Sequence, residues 1–383
     1  MPVQKTIQRS LSLLFIILFT VLSIKAQKPA NALKDTLDNK LDVSYFLTNL
    51  HGFIPVLAVI SEPALGNFGL VLAPVFIAPQ KNKSNTDRFH FPSITALMGM
   101  YTLNKSWMAG AFHMGSAPKW GLRYRLGGAF GSINMDFYRD LPIWGEQKFA
   151  FNFDLWAFML EGSKDIFRNR IFLGTSYIYA NSSIAYNNLV LPQGVFGEED
   201  FESAVGNLGF FVDADFRNSI FTADKGFRIK PTYMINRSWT GSDYSFDRVE
   251  LLAHLFLQPL KRWVSAFRAE GMAISDGGPF YAQPFVFMRG IPMLRYQGKQ
   301  TLVFETEQRF DITKRWSVLG FVGSGKAFNQ NQYSDEPEAW HWSGGAGFRY
   351  LISRLFNLRM GVDVAKGPEN YAYYIVFGHS WNR

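Results

Sequence analysis

The sequence predicts an all-β fold: a transmembrane antiparallel β-barrel of about 16 strands, with an outer loop that folds inward. Three observations carry this. Short segments alternate apolar with ionisable residues, so each strand has one greasy and one charged face. The first 26 residues have the make-up of an export signal, and no later run approaches the ~20 apolar residues of a membrane helix. Aromatic residues are 16% of the chain while cysteine is absent, so an exported chain must draw its stability from hydrogen-bonded sheet or a large core.

The alternation is clearest near the end of the long Gly/Pro-rich stretch 280–311. Glu305, Glu307, Arg309 and Asp311 fall on one strand face, and Leu302, Phe304, Thr306, Gln308 and Phe310 on the other. Arg248, Glu250 and His254 repeat the pattern, as do Arg268 with Glu270 and Arg359 with Asp363. A soluble sandwich would need a second sheet over every apolar face. A barrel in lipid turns that face outward and keeps its charges in the lumen. Closure is then required, because each unpaired backbone group in hydrocarbon costs several kcal/mol.

In chain order, residues 1–26 open with Lys5 and Arg9, continue with an apolar run over 11–24 and end on the small Ala26. Removing this signal peptide takes away Lys5, Arg9 and Lys25 and lowers the net charge from +8 to +5. The remaining charge is spread along the chain, which excludes a nucleic-acid partner. Residues 27–50 are polar, with Lys34, Asp35, Asp38, Lys40 and Asp42 interspersed, and read as a periplasmic linker or tail. Residues 51–383 are the barrel. Strands are expected over 51–61, 67–78, 93–102, 106–116, 121–138, 148–161, 170–182, 204–217, 226–236, 247–257, 262–275, 301–311, 315–327, 340–352, 355–364 and 371–381. With 276–300 outside, the long connections 183–203 and 328–339 are outside too, and 259–261, 313–314 and 353–354 are short periplasmic turns. The 79–92 connection is too long for its periplasmic place. Trp107, Trp120, Trp144, Trp156 and Trp263 lie near strand ends, as a membrane girdle requires.

Several short motifs resemble those of the BamA/TamA-like outer-membrane assembly superfamily, the bacterial surface antigen domain. Residues 53–56 and 62–66 (FIPV and EPALG) are similar to that barrel's first hairpin. Asp215, Arg217 and Asn218, followed by Gly226, resemble its mid-barrel motif. Met288, Arg289, Gly290 and Ile291 resemble the tip of its sixth outer loop, and Glu307 to Arg309 matches the Glu-x-Arg of the next strand. The resemblance covers roughly 53–381. It implies a loop whose Arg289 latches inside the lumen, with Glu305, Glu307 or Asp311 as partners. It also implies a weak seam between the first and last strands, where Pro55 lacks a backbone donor and Phe377 and Trp381 stand on the closing strand. The sequence departs from the family at Gly323, where an Asp is usual, at Trp381, which is not terminal, and in lacking room for a periplasmic POTRA repeat before residue 50. Clients would then come from another protein, or none are inserted.

The remaining motifs carry little. Residues 320–327, GFVGSGKA, have Ala327 where a phosphate loop needs Ser or Thr. The six histidines have no metal-ligand spacing, and His341, between Trp340 and Trp342, is expected at an interface. No serine carries a nucleophile elbow. The expectation is a non-enzyme without metal or cofactor. Its partners are outer-membrane lipid and, as the resemblance implies, other assembly proteins or client barrels. Its role is accessory to outer-membrane protein assembly or translocation. The alternatives are a plugged or gated pore for small solutes, or a structural subunit of a membrane complex.

Overall fold

The computed structural model describes residues 33–45, 53–60, 68–78, 93–141, 145–186, 202–328 and 338–381. The export signal, residues 62–66 of the first predicted hairpin, the 79–92 connection and Trp144 lie outside this set. The strands are β1 (Phe53–Ile60), β2 (Gly69–Ala78), β3 (Ser93–Thr102), β4 (Trp107–Ala117), β5 (Leu122–Leu141), β6 (Gly145–Phe167), β7 (Ile171–Tyr186) and β8 (Glu202–Asp215). They continue as β9 (Gly226–Asn236), β10 (Phe246–Leu260), β11 (Trp263–Ile274), β12 (Gln300–Asp311), β13 (Trp316–Phe328), β14 (His341–Ser353), β15 (Leu358–Lys366) and β16 (Tyr371–Phe377). All sixteen lie in one sheet in sequence order, each antiparallel to the next. The sheet curls until β16 lies beside β1, but no ladder joins those two strands among the described residues.

The faces sort as the alternation requires. Glu305, Glu307 and Arg309 are buried on the inside of β12, while Leu302, Phe304 and Phe310 are exposed on the outside. A row of carboxylates under 6% exposed beside a phenylalanine 50% exposed is the reverse of a soluble sheet, and fits a lumen inside and lipid outside. Trp107, Trp263, Trp316 and Trp342 are exposed at or next to strand ends.

β5 and β6 run 20 and 23 residues, about twice what crosses a bilayer. Their excess projects on the side where β5 leads on to β6, which is also the side of the long connection 275–299. There Phe149, Phe151 and Phe153 of β6 meet Phe280 and Leu294 of that connection in a buried cluster. The loop thus crosses the lumen mouth from the β12 wall to the β6 wall.

Two terminal segments pack on the barrel. Residues 33–45, within the stretch expected as a linker or tail, are docked. Lys34 pairs with Leu41, the Val43 amide donates to the Ile352 carbonyl, and three aspartates close on Arg315 in the β12–β13 turn. The last strand ends at Phe377 rather than at 381. Gly378 takes φ +77°, which turns the chain into the lumen. The His379 amide then donates to the Phe221 carbonyl, and Trp381 packs with Phe256, Ala266 and Ala223.

Candidate functional site

The long connection places Arg289 inside the barrel, 92% buried, as its own sequence demands. The Gly290 backbone has φ +86°, and a side chain there would meet the Gly367 amide at 2.9 Å. Gly367 is equally constrained by the Gly290 carbonyl. Two glycines therefore let the loop tip lie directly on the β15–β16 turn. Val286, Met288 and Ile291 seat the tip against Val303 and Ala327. The Gly290 amide donates to the Tyr374 hydroxyl at 2.8 Å, the Ser343 hydroxyl donates to the Arg289 carbonyl, and Arg268 donates to the Phe287 carbonyl at 3.1 Å.

One nitrogen of Arg289 lies 2.7 Å from Asp363 and 2.9 Å from Glu307, while another is 3.9 Å from Glu305. The guanidinium also stands 3.5 Å over the Phe321 ring, which offers a negative π-face to the part of the cation without a hydrogen bond. A buried cation without a partner costs several kcal/mol, so this cage accounts for the loop's inward path. Of the expected partners, Glu305 and Glu307 face Arg289. Asp311 does not: it lies toward the end of the barrel opposite the long connection 275–299, 3.2 Å from Arg309 and 3.6 Å from Arg359. Glu305 itself is shared with Arg268.

Asp363 is the partner that sequence reasoning missed. It sits on β15, 74 residues from Arg289, and also accepts from Arg349 at 2.5 and 2.8 Å. Nothing local predicts that pairing. Its one sequence signal is that Asp363 falls on the charged face of its strand. Position 323 is tightly enclosed: a Cβ would lie 2.5 Å from Glu305 Cγ and 2.9 Å from Met288 Sδ.

The mid-barrel motif lies elsewhere. Arg217 donates to Asp215 through two nitrogens, at 2.9 and 2.8 Å. The Asn218 side chain accepts from the Asp224 and Lys225 amides, and Gly226, at φ +104°, passes under the Phe216 carbonyl. This closes the 216–225 connection, whose Asp224 reaches Arg309. Together with the C-terminal segment it forms a floor at the end opposite the long connection 275–299, where His379 and Ser380 reach Glu307 at 3.4 and 3.3 Å. His341, expected at an interface, instead stacks on Tyr296 of the loop at 3.4 Å. Pro55 and Phe377 remain at the seam: Pro55 pairs across to Pro74 of β2, and Phe377 ends β16 opposite Met360. Trp381 is not a seam residue, because Gly378 has already turned the chain inward. The described residues hold no cluster of metal-ligating side chains.

No family model and no curated protein sequence matches the chain. Solved structures do. BamA from Haemophilus ducreyi lacking POTRA domains 1-3 aligns at 14% identity and TM-score 0.54, over 84% of this chain and 68% of that one. CdiB from Escherichia coli aligns at 10% identity and TM-score 0.60, over 84% and 62%, and CdiB from Acinetobacter baumannii at 10% and 0.55, over 84% and 58%. The fold is that of the BamA and CdiB barrels. The chain spans about three fifths of the two CdiB structures.

Proposed function

We propose that this chain is an outer-membrane barrel of the BamA/TamA-like family that assists the insertion or translocation of other proteins, working through the β1–β16 seam. The observation that carries the reading is that β16 lies beside β1 with no hydrogen-bonded ladder between them among the described residues. Two adjacent strand edges in hydrocarbon keep unsatisfied amides and carbonyls, and an incoming strand satisfies both. Pro55 removes one donor from the first of these edges. The latch contributes by tying the loop to β12, β14, β15 and the seam strand β16.

A second reading, a plugged pore for small solutes, is supported by the lumen. Its outer mouth is crossed by the loop and its periplasmic end is filled by 216–225 and the C-terminal segment. Depletion of the protein from its own membrane separates the two. Insertion predicts broad loss of other barrels from the outer membrane. A pore predicts lost uptake of one solute with the other barrels at normal levels. An engineered disulfide between β1 and β16 is clean in a chain without cysteine, and it abolishes an insertion role while leaving a pore intact.

A further inference from the structure

The docked segment 33–45 is amphipathic. Asp35, Asp38 and Asp42 turn to Arg315, with bonds of 2.7 Å to Asp38 and 2.6 Å to Asp42, and Asp35 also accepts from Arg354 at 3.1 Å. Leu33, Leu37, Leu41 and Tyr45, at every fourth residue, stay exposed, Leu37 at 75%. The Lys34–Leu41 bridge and the Asp42 amide on the Leu33 carbonyl bring Leu33 and Leu41 together. One exposed leucine is ordinary on a protein surface, but a set gathered on one short segment marks a contact.

The barrel wall shows what that contact adjoins. Tyr350 stands on the outward face of β14, opposite Trp316 of β13, and Trp316 also packs on Phe348. Trp316 and Phe348 are exposed on the lipid side. The Tyr350 hydroxyl donates to the Leu41 carbonyl at 3.1 Å. Leu41 is therefore level with the aromatic pair that ends these two strands, where a girdle meets lipid headgroups. Ile312 and Leu355, in the two adjoining turns, are exposed there as well, and the Leu355 amide donates to Ser44. The apolar side of the segment continues the lipid-facing surface of the barrel.

The exposed charges at this rim have one sign. The three aspartates are held by Arg315, which leaves Lys34, Lys40, Lys314 and Arg354 exposed around the leucines. Leucines interleaved with lysines beside an aromatic girdle are the make-up of a segment lying in a bilayer surface. Ammonium groups reach phosphates while the leucines enter the acyl boundary. A protein partner gives no reason for cations alone, whereas a plane of phosphates does.

We propose that residues 33–45 are a foot resting on the bilayer surface: Leu33, Leu37 and Leu41 enter the acyl boundary of the leaflet at this end of the barrel, and Lys34 and Lys40 meet its phosphates. The proposal rests on the transmembrane reading of the fold and is independent of any role in protein insertion.

The chain has no cysteine, so one introduced cysteine can carry an environment-sensitive nitrobenzoxadiazole label. The full-length mature barrel is reconstituted in vesicles of palmitoyl-oleoyl phosphatidylethanolamine and phosphatidylglycerol. Leu37→Cys and Leu41→Cys are compared with Phe348→Cys on the lipid-facing wall and Asp276→Cys in the long connection. At 37 and 41, doxyl-labelled phosphatidylcholine should quench about as strongly as at 348. Iodide, present on both sides of the membrane, should quench there roughly three- to tenfold less than at 276. Adding Lys34→Glu and Lys40→Glu should raise iodide quenching at 41 by about two- to fivefold. No rise overturns the phosphate contacts. Iodide quenching at 37 and 41 as strong as at 276, with none from lipid, overturns the foot. A label shielded from both quenchers would place a second copy of the chain over the leucines, and overturns lipid as the occupant. A label at 348 that meets iodide overturns the transmembrane reading and the foot with it, whereas failure at 37 and 41 alone leaves that reading standing. Folding of each variant is checked by the heat-modifiable band on a gel, and Leu33→Cys replaces either foot variant that fails.

Discussion

Arg289 on the outer loop lies 2.7 Å from Asp363 on β15, and both are buried. Asp363 also holds Arg349, so one carboxylate joins the loop, β14 and β15. Removing one member of a buried ion pair leaves the other uncompensated, at about 3–5 kcal/mol. Arg289→Ala leaves Glu307 and Asp363 without their shared cation. Asp363→Ala leaves Arg349 exposed to the same cost, while Arg289 keeps Glu307. Both variants should lower the temperature at which the folded band is lost on a gel. The double variant should cost less than the sum of the two, because both changes remove the same Arg289–Asp363 contact. Strict additivity would show that the loop is held by its apolar seat alone.

Adding a side chain at Gly323 should harm this chain. At Gly323 a Cβ would press on Glu305 and on Met288, and an Asp would add a carboxylate where Glu305 already serves two arginines. Gly323→Asp is expected to destabilise the folded barrel by at least the 1–3 kcal/mol of an overpacked site. The measurement is again heat modifiability, with Gly323→Ala separating steric from charge effects. A gain in heat resistance for Gly323→Asp would mean that the Met288 tip moves aside easily.

The fold was legible because lipid enforces a period of two along each strand, as in the alternation of Phe304, Glu305, Thr306 and Glu307. The latch residue was legible from local motif, since Met288 to Ile291 is contiguous. Its main partner was not: charge alternation places Asp363 in the lumen but says nothing of which of several lumen cations it meets. The docking of residues 33–45 and the inward turn after Phe377 were not legible for a related reason. Residues 33–45 look like polar linker because their order depends on Arg315, some 270–280 residues away. Residues 379–381 extend the aromatic pattern of the last strand, and only the backbone turn at Gly378 takes them off it.

The N-terminal clasp should be released by acid. Arg315 hydrogen-bonds to Asp38 and lowers its carboxyl from 3.8 to about 2. Asp42 is pushed up by burial, but hydrogen bonds from Ser44 and Arg315 outweigh this and hold it below its ordinary value. Arg315 is raised in turn, chiefly by Asp38. Carboxyls depressed on docking stabilise the docked state fully above their ordinary range, and the contribution fades as pH falls through the docked values. Pepsin should therefore spare Leu37 and Leu41 at pH 4 and cut beside them as pH approaches 2, with the barrel still folded on a gel. Arg315→Ala should free the segment at neutral pH, seen as thermolysin cleavage there. Protection that is unchanged in Arg315→Ala would assign docking to the Val43–Ile352 and Ser44–Ser353 contacts instead.

The inward C-terminal turn makes a last distinction. Trp381 is buried between Phe256 and His254, with ring centroids at 6.3 and 5.6 Å, and His379 stands 3.4 Å from Glu307, the residue that also holds Arg289. If the terminal segment is a lumen floor, Trp381→Ala opens a cavity against Ala223 and Ala266 and should cost about 3–5 kcal/mol. It should leave cross-linking between β1 and β16 unchanged, because β16 already ends at Phe377. If Trp381 were instead the closing residue of the strand, the substitution would alter that cross-linking efficiency first. Paired cysteines in the two strands, scored in wild type and Trp381→Ala, decide between them. A change in seam cross-linking with normal heat resistance would return Trp381 to the seam.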